Sequence, residues 1–144
     1  KHNGLTFCAG SFSAGEHNDC VAMAKQFADR THFVHLRSCY IFPNGNFTEA
    51  SHLGGRGHLI ELCRIFEKAE QEGKCNSGRR LPMRVDHGMT FTDEPGGVFD
   101  ESNHGHNAGY TLLGRMFAMG QIQGVIATVD DELGIEYKQP GFYD

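Results

Sequence analysis

Three short apolar runs in this chain each end in a side chain that can bind a metal or move a proton, and helix-length amphipathic segments separate them. Leu5-Thr6-Phe7-Cys8 is bounded by glycines and reads as a short buried strand. His32-Phe33-Val34-His35-Leu36 reads as a second strand and runs into Arg37. Leu81 to Val85 is the third and delivers Asp86-His87-Gly88. Between the first two, Asn18 or Asp19 can cap a helix in which Val21, Met23, Ala24 and Phe27 recur at helical spacing, ending near Asp29. Between the second and third, Leu59, Leu62, Cys63 and Phe66 line one face of a helix that runs to about Glu72, and Gly73 closes it. Crossovers of that length join parallel strands through right-handed connections. In parallel α/β architectures, polar groups at the C-terminal strand ends share one rim. Cys8, His35 and Asp86 are therefore expected beside one another.

Ser11 to Gly15 reads as a loop, as does the long segment after Leu36, which contains a Pro43-Asn44-Gly45 turn and Gly54-Gly55. Asp86 to Asn107 is a further loop, too long for a plain connection. Tyr110 to Met119 reads as a helix with Leu112, Leu113, Met116 and Phe117 inward, and Gln121 to Leu133 as a second helical stretch after Gly120. The expected fold class is α/β: the C-terminal βα units of a (β/α)8 TIM barrel, incomplete in this chain. Residues 1–133 would form about three βα units of the catalytic domain and residues 134–144 an irregular tail. An independent three-layer α/β domain is the competing architecture.

Composition narrows the class. A chain of 144 residues suits one domain. A net charge of −5 argues against a nucleic-acid footprint. No apolar run approaches the roughly 18 residues that a membrane helix needs, so no membrane partner is expected. Five cysteines without a CxxC pair fit reduced thiols in a cytoplasm better than a disulfide framework. The start at Lys1, running almost at once into a strand, reads as a C-terminal piece of a longer protein, and a trimmed tag or a processed start would look similar.

Thiolate, imidazole and carboxylate at Cys8, His35 and Asp86 together suit a borderline divalent ion such as Mn, Fe, Co or Zn. The blander reading makes Cys8 a small buried hydrophobe and His35 a satisfied core histidine. Arg84 shares strand parity with Asp86, and Arg37 with His35, so either guanidinium could clamp a substrate carboxylate. His87 and Tyr110 are candidates for proton transfer. Glu49 and His52 could line the same cleft. His104 and His106 form an HxH pair in the long loop, where solvation competes with metal binding.

Gly4 to Ser11, His32 to Arg37, Phe47-Thr48-Glu49-Ala50-Ser51-His52, Pro82-Met83-Arg84-Val85-Asp86-His87-Gly88 and Asn107 to Arg115 resemble, in that order, the C-terminal part of the D-mannonate dehydratases. The resemblance runs from near residue 4 to about residue 133. It implies a xylose-isomerase-like TIM barrel and a site holding Mn2+ or Fe2+. It implies Cys8, His35 and Asp86 as metal ligands, His87 and Tyr110 as proton-transfer groups, and D-mannonate as the substrate dehydrated to 2-keto-3-deoxy-D-gluconate in hexuronate catabolism. Three features depart from the family pattern. A histidine ligand upstream of the cysteine is absent, Phe91 to His106 reads as an insertion, and Ala108 stands where proline is usual. A sugar isomerase or epimerase on the same barrel type is the alternative enzyme. An inactive fragment, or a subunit that associates with the missing part or with itself, is the non-enzymatic alternative.

Overall fold

The computed structural model describes residues 3–91 and 109–136. Its elements are β1 (Leu5–Cys8), α1 (Ala9–Ser13), α2 (Cys20–Phe27), β2 (Thr31–Leu36), β3 (Cys39–Ile41), β4 (Phe47–Glu49), α3 (Leu59–Gln71), β5 (Met83–Val85) and α4 (Leu112–Leu133). Strands β1, β2 and β5 form a parallel sheet in that order. The chain is thus a mixed α/β fold built on a parallel sheet, with crossovers through α2 and α3. Asp19 caps α2, its carboxylate accepting from Ala22 N at 2.9 Å. Helix α3 ends at Gln71, and Gly73 follows it at φ +66°, the left-handed conformation that glycine adopts at low cost.

Alternation along the strands sorts side chains onto two faces. Phe7, Val34, Leu36 and Val85 are buried and join Leu62, Cys63 and Phe66 of α3 in one apolar core. The Phe7 ring meets Phe12 and Phe66 edge-on, with centroids 4.9 and 5.2 Å away. The alternate positions, Cys8, His35 and Arg84, stand in one row across the sheet. Cys8 pairs with His35 and His35 with Arg84. Asp86 lies just past β5, its N–H donating to Leu36 O at 3.2 Å.

Four sequence readings need correction. Ser11 to Gly15 is not wholly loop, because α1 continues straight from β1. The segment after Leu36 contains an antiparallel hairpin, with Cys39 paired to Glu49 and Ile41 to Phe47. Its Phe42 to Asn46 turn holds the Pro43-Asn44-Gly45 signal, and strands of three residues are too short to show a period. The helical pattern from Tyr110 to Leu133 is one 22-residue helix that starts after Tyr110 and runs through Gly120. In length and mean hydropathy it meets the requirement for a membrane span, contrary to the expectation that no apolar run approaches that length. Finally, Leu112, Leu113, Met116 and Phe117 are exposed, Leu112 at 73%. The buried face of α4 is Gly114, Ala118, Ile122, Val125 and Val129, packed against the core. A helix apolar on every side carries no periodic mark of which face turns inward.

His104, His106 and the inserted stretch from 92 onward lie outside the described residues, as does the tail beyond residue 136.

Candidate functional site

The row across the sheet sets the centre of the site. Cys8 Sγ, a ring nitrogen of His35 and a carboxylate oxygen of Asp86 all lie within 4.8 Å of one another. These are the donor types that a borderline divalent ion takes, and their spacing leaves room for one ion among them. Cys8 ends β1 and caps α1 with its sulfur, which accepts from Ser11 N at 3.4 Å and Ser11 Oγ at 3.1 Å. Those two donors from Ser11 hold the Cys8 sulfur in place at the strand end. The His35 ring is held edge-on against Phe33, with centroids 4.9 Å apart.

Asp86 is the hub. Arg84 Nη2 donates to its Oδ1 at 2.7 Å and Tyr110 OH at 3.4 Å. His35 Nδ1 stands 3.8 Å and His87 Nε2 3.7 Å from its Oδ2. The rings of His87 and Tyr110 pack together with centroids 4.4 Å apart. Behind His87 lies Glu49, whose Oε1 is 3.1 Å from His87 Nδ1. Glu49 in turn takes two parallel bonds from Arg37, Nη2 to Oε1 at 2.5 Å and Nε to Oε2 at 2.9 Å.

A family model described as D-mannonate dehydratase (UxuA) matches residues 1–135. The chain belongs to the D-mannonate dehydratase family. It is 38% identical over 134 residues to mannonate dehydratase 2 of Agrobacterium fabrum, covering 92% of this chain and 32% of that protein. It is 38% identical over 130 residues to the mannonate dehydratase of Saccharophagus degradans, covering 89% of this chain and 31% of that protein. It spans about a third of the length of these relatives. The crystal structure of mannonate dehydratase from Streptococcus suis serotype 2 superimposes with a TM-score of 0.71 at 21% identity, covering 99% of this chain and 38% of that one. The fold of this chain is thus shared with part of that longer chain.

Within that family frame, the structure separates residues that the sequence had grouped. Arg84 is 42% exposed, whereas the Arg37 side chain is 13% exposed and committed to Glu49. Burial works against the Arg37 charge, but the bonds and charge of Glu49 outweigh it and raise the pKa above the ordinary arginine value. His52 is 2% exposed and sits behind the cleft, its Nε2 bound to Leu36 O at 2.8 Å. Burial lowers its pKa, although the Leu36 carbonyl and the Glu49 charge oppose that shift. Its backbone N–H donates to Gln121 Oε1 at 3.1 Å, which ties this loop to α4.

Ser11, Arg115 and the pair Gly88–Gly114 escaped the sequence reading. Arg115 lies over the Tyr110 ring, 5.5 Å from its centroid. A Cβ on Gly88 would stand 2.1 Å from Gly114 O, and one on Gly114 2.0 Å from Met89 O. Only backbone fits there, so the strand end that carries His87 rests directly on the first turn of α4. Ser11 had a visible signal, because a residue three positions after a strand-ending cysteine has capping spacing. Cys8 is half-buried, and the other cysteines lie deeper. Cys20, Cys39, Cys63 and Cys75 are buried free thiols, and burial raises each pKa, that of Cys63 to about 12.

Proposed function

We propose that this chain supplies the C-terminal βα units of a (β/α)8 barrel, residues 1–133 with a tail from 134, and with them part of the active site of a metal-dependent hydro-lyase. The substrate is D-mannonate and the product 2-keto-3-deoxy-D-gluconate, within cytoplasmic hexuronate catabolism. The convergence of Cys8, His35 and Asp86 within 4.8 Å, with His87 and Tyr110 packed beside them, carries the reading. In this assignment Cys8, His35 and Asp86 hold Mn2+ or Fe2+. A divalent ion there would supply the Lewis acidity that lowers the cost of charge developing on a substrate carboxylate.

The protein groups divide the remaining work. The proton α to a carboxylate is weakly acidic, so one group must accept it and another must protonate the C3 hydroxyl as it leaves. His87 and Tyr110 are the two groups assigned to this work, which their position beside the Asp86 carboxylate, at 3.7 and 3.4 Å, supports. The C2–H and C3–OH bonds break, water departs, and the enol tautomerises to the 2-keto acid. Arg84, exposed and beside Asp86, is the cation that would orient the substrate carboxylate. Arg37, Glu49 and His52 act from behind the cleft as positioning residues. The exposed apolar side of α4 is where the rest of the barrel, or a second copy, would associate.

The test pairs metal binding with turnover. Calorimetric titration of this chain with Mn2+ and Co2+ is expected to show one site that Asp86→Ala abolishes. In an enzyme carrying this segment in a complete barrel, Tyr110→Phe should lower kcat by about 10²-fold or more with metal retained. Product analysis should find a 2-keto-3-deoxy acid; a product that retains every hydroxyl would mean isomerisation or epimerisation instead. Metal binding unchanged in Asp86→Ala would overturn the ligand assignment.

A further inference from the structure

We infer that the cavity between α3, α4 and the start of β5 binds a small aliphatic amine, its ammonium group held by Asp130 and Glu67. The cavity has a volume of about 470 Å³, within the usual range for small-molecule sites. It opens beside Leu81, Pro82 and Met83, at the end of β5 opposite to Asp86. Two observations point to a ligand rather than to a solvated acidic surface. Asp130 is only 6% exposed, and its Oδ1 is buried with no hydrogen-bond partner among the described residues. A carboxylate oxygen buried in that way is costly until a donor reaches it.

The second observation is the charge around that oxygen. Glu67 and Glu70 face the cavity from α3, and Glu136 faces it from the chain after α4. Arg80 also lines it, but it is exposed and forms no ion pair with these acids among the described residues. Burial, then the charges of Asp130 and Glu70, push the Glu67 carboxyl up to about 7, with Arg80 opposing. Burial also raises the pKa of Asp130, again against Arg80. Both groups thus sit where a positive charge is wanting. The chemistry selects an organic cation over a metal ion. A hard divalent ion needs several oxygens converging on one point, and among the described residues three such ligand atoms converge only at Cys8, His35 and Asp86. Here the acids are spread over the walls, between Leu81, Met83, Ile126 and Ile135. An ammonium offers three donors and no acceptor to the carboxylates, and its alkyl chain matches the aliphatic wall.

The test titrates the full chain with putrescine, a linear diamine, at pH 8, where the Glu67 carboxyl is ionised. One saturable site is expected by calorimetry, with the diol of the same chain length and Mg2+ each about 10-fold weaker or more. Asp130→Asn keeps the shape of the side chain and should weaken putrescine binding about 10-fold or more. Glu67→Gln should do the same, and it decides the matter if Asp130→Asn does not fold. At about pH 5.5 the wild-type affinity should fall about 10-fold or more, because Glu67 must first give up its proton. No saturable binding at pH 8, an affinity unchanged in the folded variants, or Mg2+ binding more tightly than putrescine would each overturn the inference. In an enzyme carrying this segment in a complete barrel the diamine should still bind. Loss of binding there would mean that a basic side chain of the same polypeptide fills the cavity, which overturns the free amine as ligand. None of these readouts depends on the candidate metal cluster or on the proposed dehydration.

Discussion

Replacing Arg37 with methionine keeps most of the aliphatic stem and removes the guanidinium that clamps Glu49. The structure sets the size of the effect. The pair is bidentate at 2.5 and 2.9 Å, and its side chains are only 13% and 7% exposed. The charge centres lie about 4 Å apart, where an effective dielectric near 20 gives an attraction of about 4 kcal/mol. Removing one partner leaves the other buried and uncompensated, which typically costs about 3–5 kcal/mol. Arg37→Met should therefore lower the free energy of unfolding by that amount, shifting the urea midpoint by about 2 M if the slope is about 2 kcal/mol per molar. The double variant with Glu49→Ala should recover a large part of the loss, and the resulting cycle should give a coupling of about 2–4 kcal/mol. Far-UV circular dichroism is the appropriate probe, since the chain has no tryptophan. The coupling should change little between low and high salt, because buried pairs are weakly screened. A coupling under about 0.5 kcal/mol, the value of an exposed pair, would refute the claim that Arg37 is committed to Glu49, and would return Arg37 to the substrate-clamping role.

Two further outcomes follow from other parts of the molecule. The Glu67 carboxyl is pushed up to about 7, mainly by burial and then by the charges of Asp130 and Glu70, with Arg80 opposing. The folded chain therefore holds a proton there that the unfolded chain has released, and stability should fall as pH rises from about 4.5 to 7. Glu67→Gln should flatten that fall and stabilise the chain at pH 8 by up to about 3 kcal/mol, less whatever solvent screening removes; an unchanged urea midpoint at pH 8 would contradict it. On α4, Leu112→Glu with Met116→Lys changes two exposed side chains. Sedimentation should show less self-association than wild type at unchanged helix content, and identical sedimentation would mean that this face is not sticky.

The parallel framework was legible because each strand and crossover carries its own local signal. Phe7 and Val85 alternate with polar neighbours, Asp19 caps α2, and Gly73 stops α3. The hairpin was not legible, since β3 and β4 have three residues each and their pairing depends on contacts made only after folding. The inward face of α4 was not legible for a different reason. Burial there goes to Gly114 and Ala118, small residues that let the helix approach closely, while the larger Leu112 and Met116 point outward. The sequence reading put Cys8, His35 and Asp86 at three strand ends, but their meeting depends on the register that pairs Cys8 with His35 and His35 with Arg84. Parity alone could not say that Arg37 would turn to Glu49 rather than toward the cleft.

That last distinction bears on how the site tolerates change. The three candidate ligand positions depend on adjacent parallel strands, and the hydrogen bonds of those strands hold Cys8, His35 and Asp86 in place. His87 and Tyr110 depend on longer-range supports. One is the Arg37–Glu49 clamp carried by the hairpin, and the other is the backbone contact between Gly88 and Gly114 at the start of α4. A disturbance of the hairpin or of α4 can therefore displace the proposed proton-transfer groups while the ligand cluster stays assembled. A disturbance of the sheet would dismantle the ligand cluster and the strand end that carries His87 together. Loss of turnover with metal retained would thus point to the supports of His87 and Tyr110, and simultaneous loss of both would point to the sheet.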